Sequence, residues 1–373
     1  MTRIAILSVS AGAGHLRAAD AIAKAAIAQG HEAIHLDVME LVPRLFRTVY
    51  SKSYLGVVER HPALWGYLYH ASDRARRDST ANRLRRGIET LNTRAFRKKI
   101  TDLAPDVVIC THFLPAQILS RMIEEGKCAA PVWVVVTDFD VHLLWSHPHM
   151  TGYAVAAEEV ACRISERDIA PAQVAVTGIP IASVFSQRLD RATCAAELGI
   201  DPHKTTFLMM SGGYGVGAID QLTQRILSIP GDFQVVALAG RNAELLQRLQ
   251  DLAVQHPGRL FPLGFTTTIE RVMTCADVAI SKPGGLTTSE CLAMGLPMVV
   301  ISPIPGQEER NSDYLLEHGA ALKAHDTAGL EYRVRRLLTE PSLIPALRAA
   351  AARLGRQDAA ARVLEVALSG DRG

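Results

Sequence analysis

The chain has 373 residues and 48% hydrophobic content, so it is long enough for two domains with sizeable cores. It contains no run of about 18 apolar residues, and its six cysteines form no Cys-x-x-Cys pair, which argues against a transmembrane helix and a zinc site. The net charge of +2 is unevenly distributed, because residues 44–99 hold fourteen Lys and Arg against four acids, a local charge of +10. That segment indicates an anionic partner.

Short apolar runs rich in β-branched residues alternate with helical patterns along most of the chain. We predict strands in the first half at 3–9, 32–38, 106–111, 131–137, 152–157 and 173–177. The second half repeats the pattern, with strands at 205–211, 233–239, 259–263, 277–281 and 297–302. The pattern predicts an α/β fold of two doubly wound, Rossmann-like domains that face a cleft. The predicted domains span 1–185 and 195–340, followed by C-terminal helices at 341–373.

The basic segment interrupts the first half as a helical insertion at 44–100. Aromatic residues such as Trp65, Tyr67 and Tyr69 alternate there with Arg and Lys. That mixture suits a helical surface on anionic lipid, with rings at the level of the headgroups. An ordinary helical insertion with a solvated charged face is the alternative. A nucleic-acid surface is disfavoured because no nucleic-acid-binding motif accompanies the charge.

The stretch SVSAGAGHLR at 8–17 lies between a predicted strand and a predicted helix. Gly12 and Gly14 resemble the start of a dinucleotide-binding fingerprint, with Asp37 as the acid that would bind a ribose. The third glycine of that fingerprint is missing, because position 17 is arginine. The oxidoreductase hypothesis therefore rests on a partial match.

His15 supports a different hypothesis for the same stretch. The positive end of a helix dipole disfavours an imidazolium, so the ring stays neutral near pH 7 and can accept a proton. The preceding glycines allow a substrate to approach closely. These features favour His15 as a general base, with a surface histidine at a helix start as the alternative.

Two further glycine-rich turns follow strands of the second half, at 211–217 and 281–290. Such turns present backbone N–H groups at a helix N-terminus and can hold a pyrophosphate without a metal. Neither matches the P-loop pattern. Glu290 lies one helical turn into the second helix, where its carboxylate can accept hydrogen bonds from ribose hydroxyls. The polar turn at 302–311 suits a ligand rich in hydroxyl groups.

Together these motifs resemble glycosyltransferase family 28. Within it, the chain is most similar to the monogalactosyldiacylglycerol synthases of plants and the processive diacylglycerol glucosyltransferases of bacteria. The resemblance covers roughly residues 3–340, and it rests on the GAGH turn at 12–15, the glycine turn at 212–217, KPGGLTTSE at 282–290 and PGQEERN at 305–311. Supporting stretches are THFL at 111–114, VTDF at 136–139 and TGIPI at 177–181.

The resemblance implies a GT-B fold, an inverting mechanism and a UDP-sugar bound mainly by the second domain, with no cofactor and no catalytic metal. It implies that His15 is the base, and we expect Asp138 to assist it. Gly14 and His112 are the expected acceptor-binding residues. The expected donor-binding residues are Gly213, Tyr214, Gly215, Arg241, Phe265, Thr266, Gly284, Gly285, Leu286, Thr287, Glu290, Gln307 and Glu308.

The resulting hypothesis is a glycosyltransferase that moves a hexose from a UDP-sugar to diacylglycerol, in one or several rounds. Its partners are then the UDP-sugar, diacylglycerol or a related lipid, and an anionic membrane, with no nucleic acid. We expect a cytoplasmic protein that binds the cytoplasmic face of the cell membrane peripherally. A polyprenyl-linked acceptor, an NAD-dependent oxidoreductase and a non-catalytic sugar-nucleotide-binding protein are the alternatives.

Overall fold

The computed structural model describes residues 1–10, 12–43, 47, 93–210 and 219–369. Contacts divide the chain into two compact units. Unit 1 comprises Met1–Ser183, Ile304–Gln307 and Asp358–Gly373, and unit 2 comprises Val184–Pro303 and Glu308–Gln357. The last segment of the chain therefore belongs to the first unit, a feature that the sequence analysis did not predict.

Each unit contains a parallel sheet of six strands. The strands of unit 1 are β1 Arg3–Ser8, β2 Glu32–Asp37, β3 Val107–Cys110, β4 Val132–Val135, β5 Gly152–Val155 and β6 Val174–Val176. The strands of unit 2 are β7 Thr205–Met210, β8 Phe233–Gly240, β9 Leu260–Gly264, β10 Val278–Ser281, β11 Met298–Ile301 and β12 Ala321–Ala324. The predicted α/β class is confirmed, and each of the eleven predicted strands is present.

Helices connect the strands, as parallel pairing requires. In the first half they are α1 Ala13–Ala28, α2 Arg94–Leu103, α3 Phe113–Glu124, α4 Glu158–Ser165 and α5 Arg191–Leu198. In the second half they are α6 Ile219–Leu227, α7 Ala243–Gln255, α8 Ile269–Cys275, α9 Gly285–Ala293, α10 Gln307–Glu317, α11 Thr327–Thr339, α12 Leu343–Leu354 and α13 Ala359–Ser369. The helices predicted for 44–92 lie outside the described residues, apart from position 47.

The strand order reverses once in each sheet. The order is β2-β1-β3-β4-β5-β6 in unit 1 and β12-β11-β10-β7-β8-β9 in unit 2. In open parallel sheets, ligands bind beyond the carboxyl ends of the strands at the point of reversal. The topology thus marks two places: the loops after β1 and β3, and the loops after β7 and β10.

The cores explain why the strands are continuous apolar runs. Strands β3 and β4, with the sequences VVIC and VWVV, are fully buried because helices cover both faces of the sheet. In unit 1, Val363, Leu364 and Ala367 of α13 join the cluster formed by β1 and α1. In unit 2, Phe207 and Phe233 of neighbouring strands form an edge-to-face pair at 5.6 Å.

Candidate active site

His15 lies half-buried in the first turn of α1, which begins just after the loop that follows β1. Gly12 precedes that helix with a φ of 131°, a conformation that favours glycine. The Oδ1 atom of Asp37 accepts hydrogen bonds from the backbone N–H groups of Ser10 at 3.1 Å and Met39 at 3.0 Å. The Asp37 carboxylate therefore stabilises the loop and a turn at the end of β2.

Thr111 contacts His15 at two points. The Nδ1 atom of His15 lies 2.8 Å from the carbonyl oxygen of Thr111, and the Thr111 hydroxyl donates to the His15 carbonyl oxygen at 2.9 Å. A carbonyl oxygen only accepts hydrogen bonds, so Nδ1 carries the ring proton. The lone pair of the neutral ring is then on Nε2, which is the atom able to accept a proton.

The Thr137 hydroxyl is the second contact of the same nitrogen. Its Oγ1 atom lies 3.0 Å from His15 Nδ1, and the Thr137 side chain is buried. Because Nδ1 already carries the ring proton, Thr137 acts there as a second acceptor. The sequence analysis did not select Thr137, although it is the last residue of the strand predicted at 131–137 and lies two residues beyond the observed β4.

His112 has the opposite tautomer. It caps the N-terminus of α3, and its Nδ1 accepts a hydrogen bond from the Leu114 backbone N–H at 3.0 Å. Its proton is therefore on Nε2, which can only donate. The rings of His112 and His15 meet edge to face with centroids 4.6 Å apart, and Trp145 lies 6.2 Å from each.

Burial keeps both rings neutral. Loss of solvation lowers the pKa of His15 to about 4, against a smaller opposing effect of the Thr111 carbonyl. Burial, with the neighbouring His15, holds the pKa of His112 well below its usual range. At neutral pH the site therefore contains two neutral rings. The His15 ring can accept a proton at its Nε2 atom, and the His112 ring can donate a hydrogen bond from its own Nε2 atom.

The other residues predicted for this end of unit 1 lie nearby in the chain. Asp138 is half-buried and directly follows Thr137 after β4. Gly14 lies in the first turn of α1, partly exposed. The structure brings His15 and His112 together, and it adds the two threonines.

In unit 2, the turn between β10 and α9 lies at the strand-order reversal. Gly284 and Gly285 open α9, and the amide of Asn311 donates to the Pro283 carbonyl at 3.0 Å, which links the turn to α10. A Cβ atom on Gly284 would lie 3.8 Å from Oε1 of Glu308. The predicted donor-binding residues Gly284, Gly285 and Glu308 are thus close together.

The remaining donor-binding residues predicted on α9 and α10 lie in or just after the first turns of these helices. Leu286 and Glu290 are buried on α9, and Thr287 is partly exposed in its first turn. Gln307 is the first residue of α10. The N–H groups of the first turn of α9 give this end a partial positive charge suited to an anion.

Arg241 and Phe265 form a pair at the ends of β8 and β9. The Arg241 guanidinium carbon lies 4.5 Å from the centre of the Phe265 ring, which is 54% exposed. Thr266 turns the chain after β9, since its hydroxyl accepts from the Thr268 backbone N–H at 3.1 Å. Three strand spacings separate the ends of β9 and β10, roughly 14 Å at about 4.8 Å per strand.

Three predicted donor-binding residues, Gly213, Tyr214 and Gly215, lie outside the described residues. Within the described ranges, no group of three or more His, Cys, Asp or Glu side chains is placed to hold a metal ion. In the same part of the chain, no helix is both long and apolar enough to span a bilayer.

The two parallel six-stranded sheets and their reversal points define the class of fold, which is GT-B. The MurG crystal structure from Acinetobacter baumannii matches with a TM-score of 0.65 at 14% identity, over 98% of this chain and 99% of that one. The Anabaena Alr3699/HepE structure in complex with UDP-glucose matches with a TM-score of 0.58 at 12% identity, over 99% of this chain and 100% of the other.

Sequence comparison identifies the family. A model described as monogalactosyldiacylglycerol (MGDG) synthase matches residues 15–181, and the glycosyltransferase family 28 C-terminal domain matches residues 217–363. A processive diacylglycerol beta-glucosyltransferase of Bacillus cereus is 30% identical over 266 residues, which are 71% of this chain and 68% of that protein. The chain belongs to glycosyltransferase family 28, as the resemblance implied.

Proposed function

We propose that the protein transfers a hexose from a UDP-sugar to the hydroxyl group of diacylglycerol, with inversion at the anomeric carbon. The observation that carries the proposal is the state of His15. Its Nδ1 proton is directed to the Thr111 carbonyl, so a neutral ring with its lone pair on Nε2 lies at the reversal point of unit 1. A neutral, oriented imidazole is the group that removes a proton from an alcohol at neutral pH.

The proposed reaction is a single displacement. Nε2 of His15 takes the proton of the acceptor hydroxyl while that oxygen forms a bond to the anomeric carbon of the sugar. The bond from this carbon to the diphosphate oxygen breaks, and UDP leaves with the electron pair. Because attack and departure occur on opposite faces, an α-linked donor gives a β-glycoside.

Unit 2 supplies the proposed donor site. The N-terminus of α9 at Gly284 and Gly285 would hold the diphosphate and stabilise the charge that develops on UDP. The Arg241–Phe265 pair would contact the uracil ring, and Glu290 would accept from the ribose. A nucleoside diphosphate is comparable in length to the roughly 14 Å between the ends of β9 and β10. We propose that no metal or other cofactor takes part.

The lipid acceptor is proposed from two observations. The Bacillus cereus relative is named for transfer to diacylglycerol. The described end of the basic segment, α2, exposes Arg94, Lys98 and Lys99 and buries Phe96 and Ile100, and Lys98 is paired with Asp102 at 2.6 Å. A charged face of this kind suits an anionic membrane that contains the acceptor.

Turnover tests the reaction directly. The full-length chain would be incubated with diacylglycerol in anionic liposomes and with UDP-glucose, UDP-galactose or UDP-glucuronic acid in turn. We expect a glycolipid on thin-layer chromatography, with a β-anomeric proton in its NMR spectrum. No product from diacylglycerol, together with product from a polyprenyl-linked acceptor, would reject the proposed acceptor. An α-glycoside would reject the single displacement.

Charge reversal tests the membrane contact. The triple variant Arg74→Glu, Arg76→Glu and Arg77→Glu changes the charge of the basic segment by six units, and we expect it to be lost from anionic liposomes in co-sedimentation at moderate salt. The matched control reverses three exposed arginines outside the segment, Arg188, Arg353 and Arg356. Equal loss in both variants would show a general charge effect, which contradicts a membrane contact at 44–100.

A further inference from the structure

We infer that the Thr137 hydroxyl is a positioning residue for the proposed transfer, which fixes the tautomer and orientation of His15 together with the Thr111 carbonyl. The inference rests on the proposed function insofar as His15 is the base. Sequence reasoning assigned an assisting role in this part of the chain to a carboxylate, Asp138. The structure directs two uncharged oxygen atoms at Nδ1 of the ring.

The geometry supports this role for Thr137. Its Oγ1 lies 3.0 Å from Nδ1 and the Thr111 carbonyl oxygen lies 2.8 Å from the same atom, so the Nδ1 proton is shared between two acceptors. Both threonines are buried, at 4% and 0% exposure, and therefore offer fixed partners. The two residues follow β4 and β3, which are adjacent strands, so the sheet itself sets the distance between them.

Two uncharged acceptors have a different chemical effect from a carboxylate. A buried carboxylate beside the ring would favour the imidazolium and raise the pKa of the histidine. Hydroxyl and carbonyl oxygens orient the ring and still leave it neutral, in agreement with the lowered pKa of His15. The titratable group in ring contact with it, His112, is also neutral and adds no charge.

The arrangement specifies what happens when the proton is transferred. Once Nε2 takes the proton of the acceptor hydroxyl, the positive charge spreads to Nδ1, and both hydrogen bonds from Nδ1 strengthen. Without Thr137, the ring keeps one acceptor and can rotate more freely about its side-chain torsions. The rate of the chemical step should therefore fall, while the affinity for either substrate should change little.

Isosteric variants test the inference. Thr137→Val removes the hydroxyl and keeps the shape, and we expect kcat to fall about 3- to 10-fold, the effect of one hydrogen bond, with KM for both substrates unchanged. Thr137→Ser keeps the hydroxyl and should restore most of kcat. Thr177→Val is the matched control, because Thr177 is another fully buried threonine of unit 1, whose hydroxyl donates to the Gly178 carbonyl.

A double-mutant cycle separates positioning from general destabilisation. If Thr137 acts through His15, then Thr137→Val should slow the wild-type enzyme and leave the residual rate of His15→Ala unchanged. An equal further loss in the His15→Ala background would overturn the inference. So would a wild-type kcat in Thr137→Val.

Nitrogen NMR gives a readout that does not depend on turnover. In protein labelled with ¹⁵N-histidine, the resonances that vanish in His15→Ala belong to this ring, and the wild type should show a protonated Nδ1. Thr137→Val should increase the Nε2-protonated fraction, whereas Thr177→Val should not. Unchanged nitrogen shifts in Thr137→Val would overturn the inference. If His15→Ala kept full turnover, the proposed role of His15 as the base would fail, and the nitrogen shifts would still decide whether Thr137 fixes the tautomer of the ring.

Discussion

The two reversal points of the strand order present different chemical groups. At the end of β1 and β3, unit 1 presents two imidazole rings that are hydrogen-bonded to neighbouring backbone groups and, at His15, also to the Thr137 hydroxyl. At the end of β10, unit 2 presents a glycine turn and a helix N-terminus, with Glu290 buried one turn further on. The same topology therefore places imidazole rings at the reversal point of one unit and the backbone N–H groups of a helix N-terminus at that of the other.

This difference assigns proton transfer and diphosphate binding, two requirements of the proposed reaction, to different kinds of group. Proton transfer needs a side chain that can change its protonation state, whereas a diphosphate binds to backbone groups that do not titrate. Substitutions in unit 1 should therefore lower kcat and leave UDP affinity intact. Substitutions in unit 2 should weaken UDP binding first.

The largest expected effect is that of removing the base. His15→Ala should lower turnover by roughly 10²- to 10⁴-fold, the usual contribution of a general base, with UDP affinity nearly unchanged by calorimetry. His203→Ala is the matched control, because His203 is an exposed histidine of unit 2. Near-normal turnover of His15→Ala would remove the chemical role from unit 1 and with it the contrast between the units.

The second-largest expected effect is a loss of UDP affinity caused by a substitution in unit 2. Glu290→Gln keeps the shape of the side chain but weakens it as an acceptor, so we expect a loss of about 1–3 kcal/mol in UDP binding, roughly 5- to 150-fold in Kd. Isothermal titration with UDP measures it, and an unchanged Tm shows that the variant is folded. Unchanged affinity in the folded variant would mean that the Glu290 carboxylate does not contact the nucleotide.

The pH dependence sharpens the contrast further. Since the pKa of His15 is lowered from 6.5 to about 4 on folding, the unfolded chain binds more protons between these values, and the unfolding free energy should fall as pH drops from about 6.5 to about 4. One such group contributes at most about 1.4 kcal/mol per pH unit. In His15→Ala the unfolding free energy, measured by denaturant titration at each pH, should fall less steeply over this pH range. The same pH dependence of the unfolding free energy in the wild type and in His15→Ala would mean that His15 keeps its ordinary pKa.

The smallest effect compares two arginines of unit 2. Each guanidinium carbon lies 4.5 Å from a ring centre, Arg241 over Phe265 and Arg259 over Phe233, but Arg241 follows β8 whereas Arg259 precedes β9. Arg241→Gln should cost about 0.5–1 kcal/mol of UDP binding and leave Tm unchanged.

Arg259→Gln is the control, because Arg259 lies at the amino ends of the strands, whereas Arg241 lies at their carboxyl ends. Arg259 donates to the carbonyl oxygens of Leu227 and Ile229, so its loss should lower Tm with UDP affinity unchanged. A drop in UDP affinity for Arg259→Gln as large as for Arg241→Gln would contradict the assignment of the nucleotide to the carboxyl ends of the strands.

Much of the fold could be predicted because buried parallel strands leave a simple pattern. The runs that form β3 and β4 are apolar throughout, so eleven strands were predicted near their observed positions. The exception is β12, whose sequence ALKA is short and contains a lysine and two alanines. It forms because β11 offers a free edge of the sheet, and such tertiary pairing outweighs weak local propensity.

The candidate site was predictable only in part. His15 stands next to a glycine turn, a local signal, and the motif at 282–290 is likewise contiguous. The contact of Thr137 with His15 joins residues 122 positions apart, and it depends on the order in which β1, β3 and β4 lie in the sheet. Neither local pattern nor composition encodes that strand order, so the contact between Thr137 and His15 could be recognised only in the folded chain.

The position of α13 has a consequence for dividing the protein into fragments. Val363, Leu364 and Ala367 pack on the same cluster as Ile22 and Ala26 of α1, the helix whose first turn carries His15. A fragment ending at residue 183 would lack this cover and expose an apolar stripe on α1. Fragment complementation should therefore need a peptide of residues 358–369 added in trans, although that peptide lies about 175 residues beyond the end of the fragment.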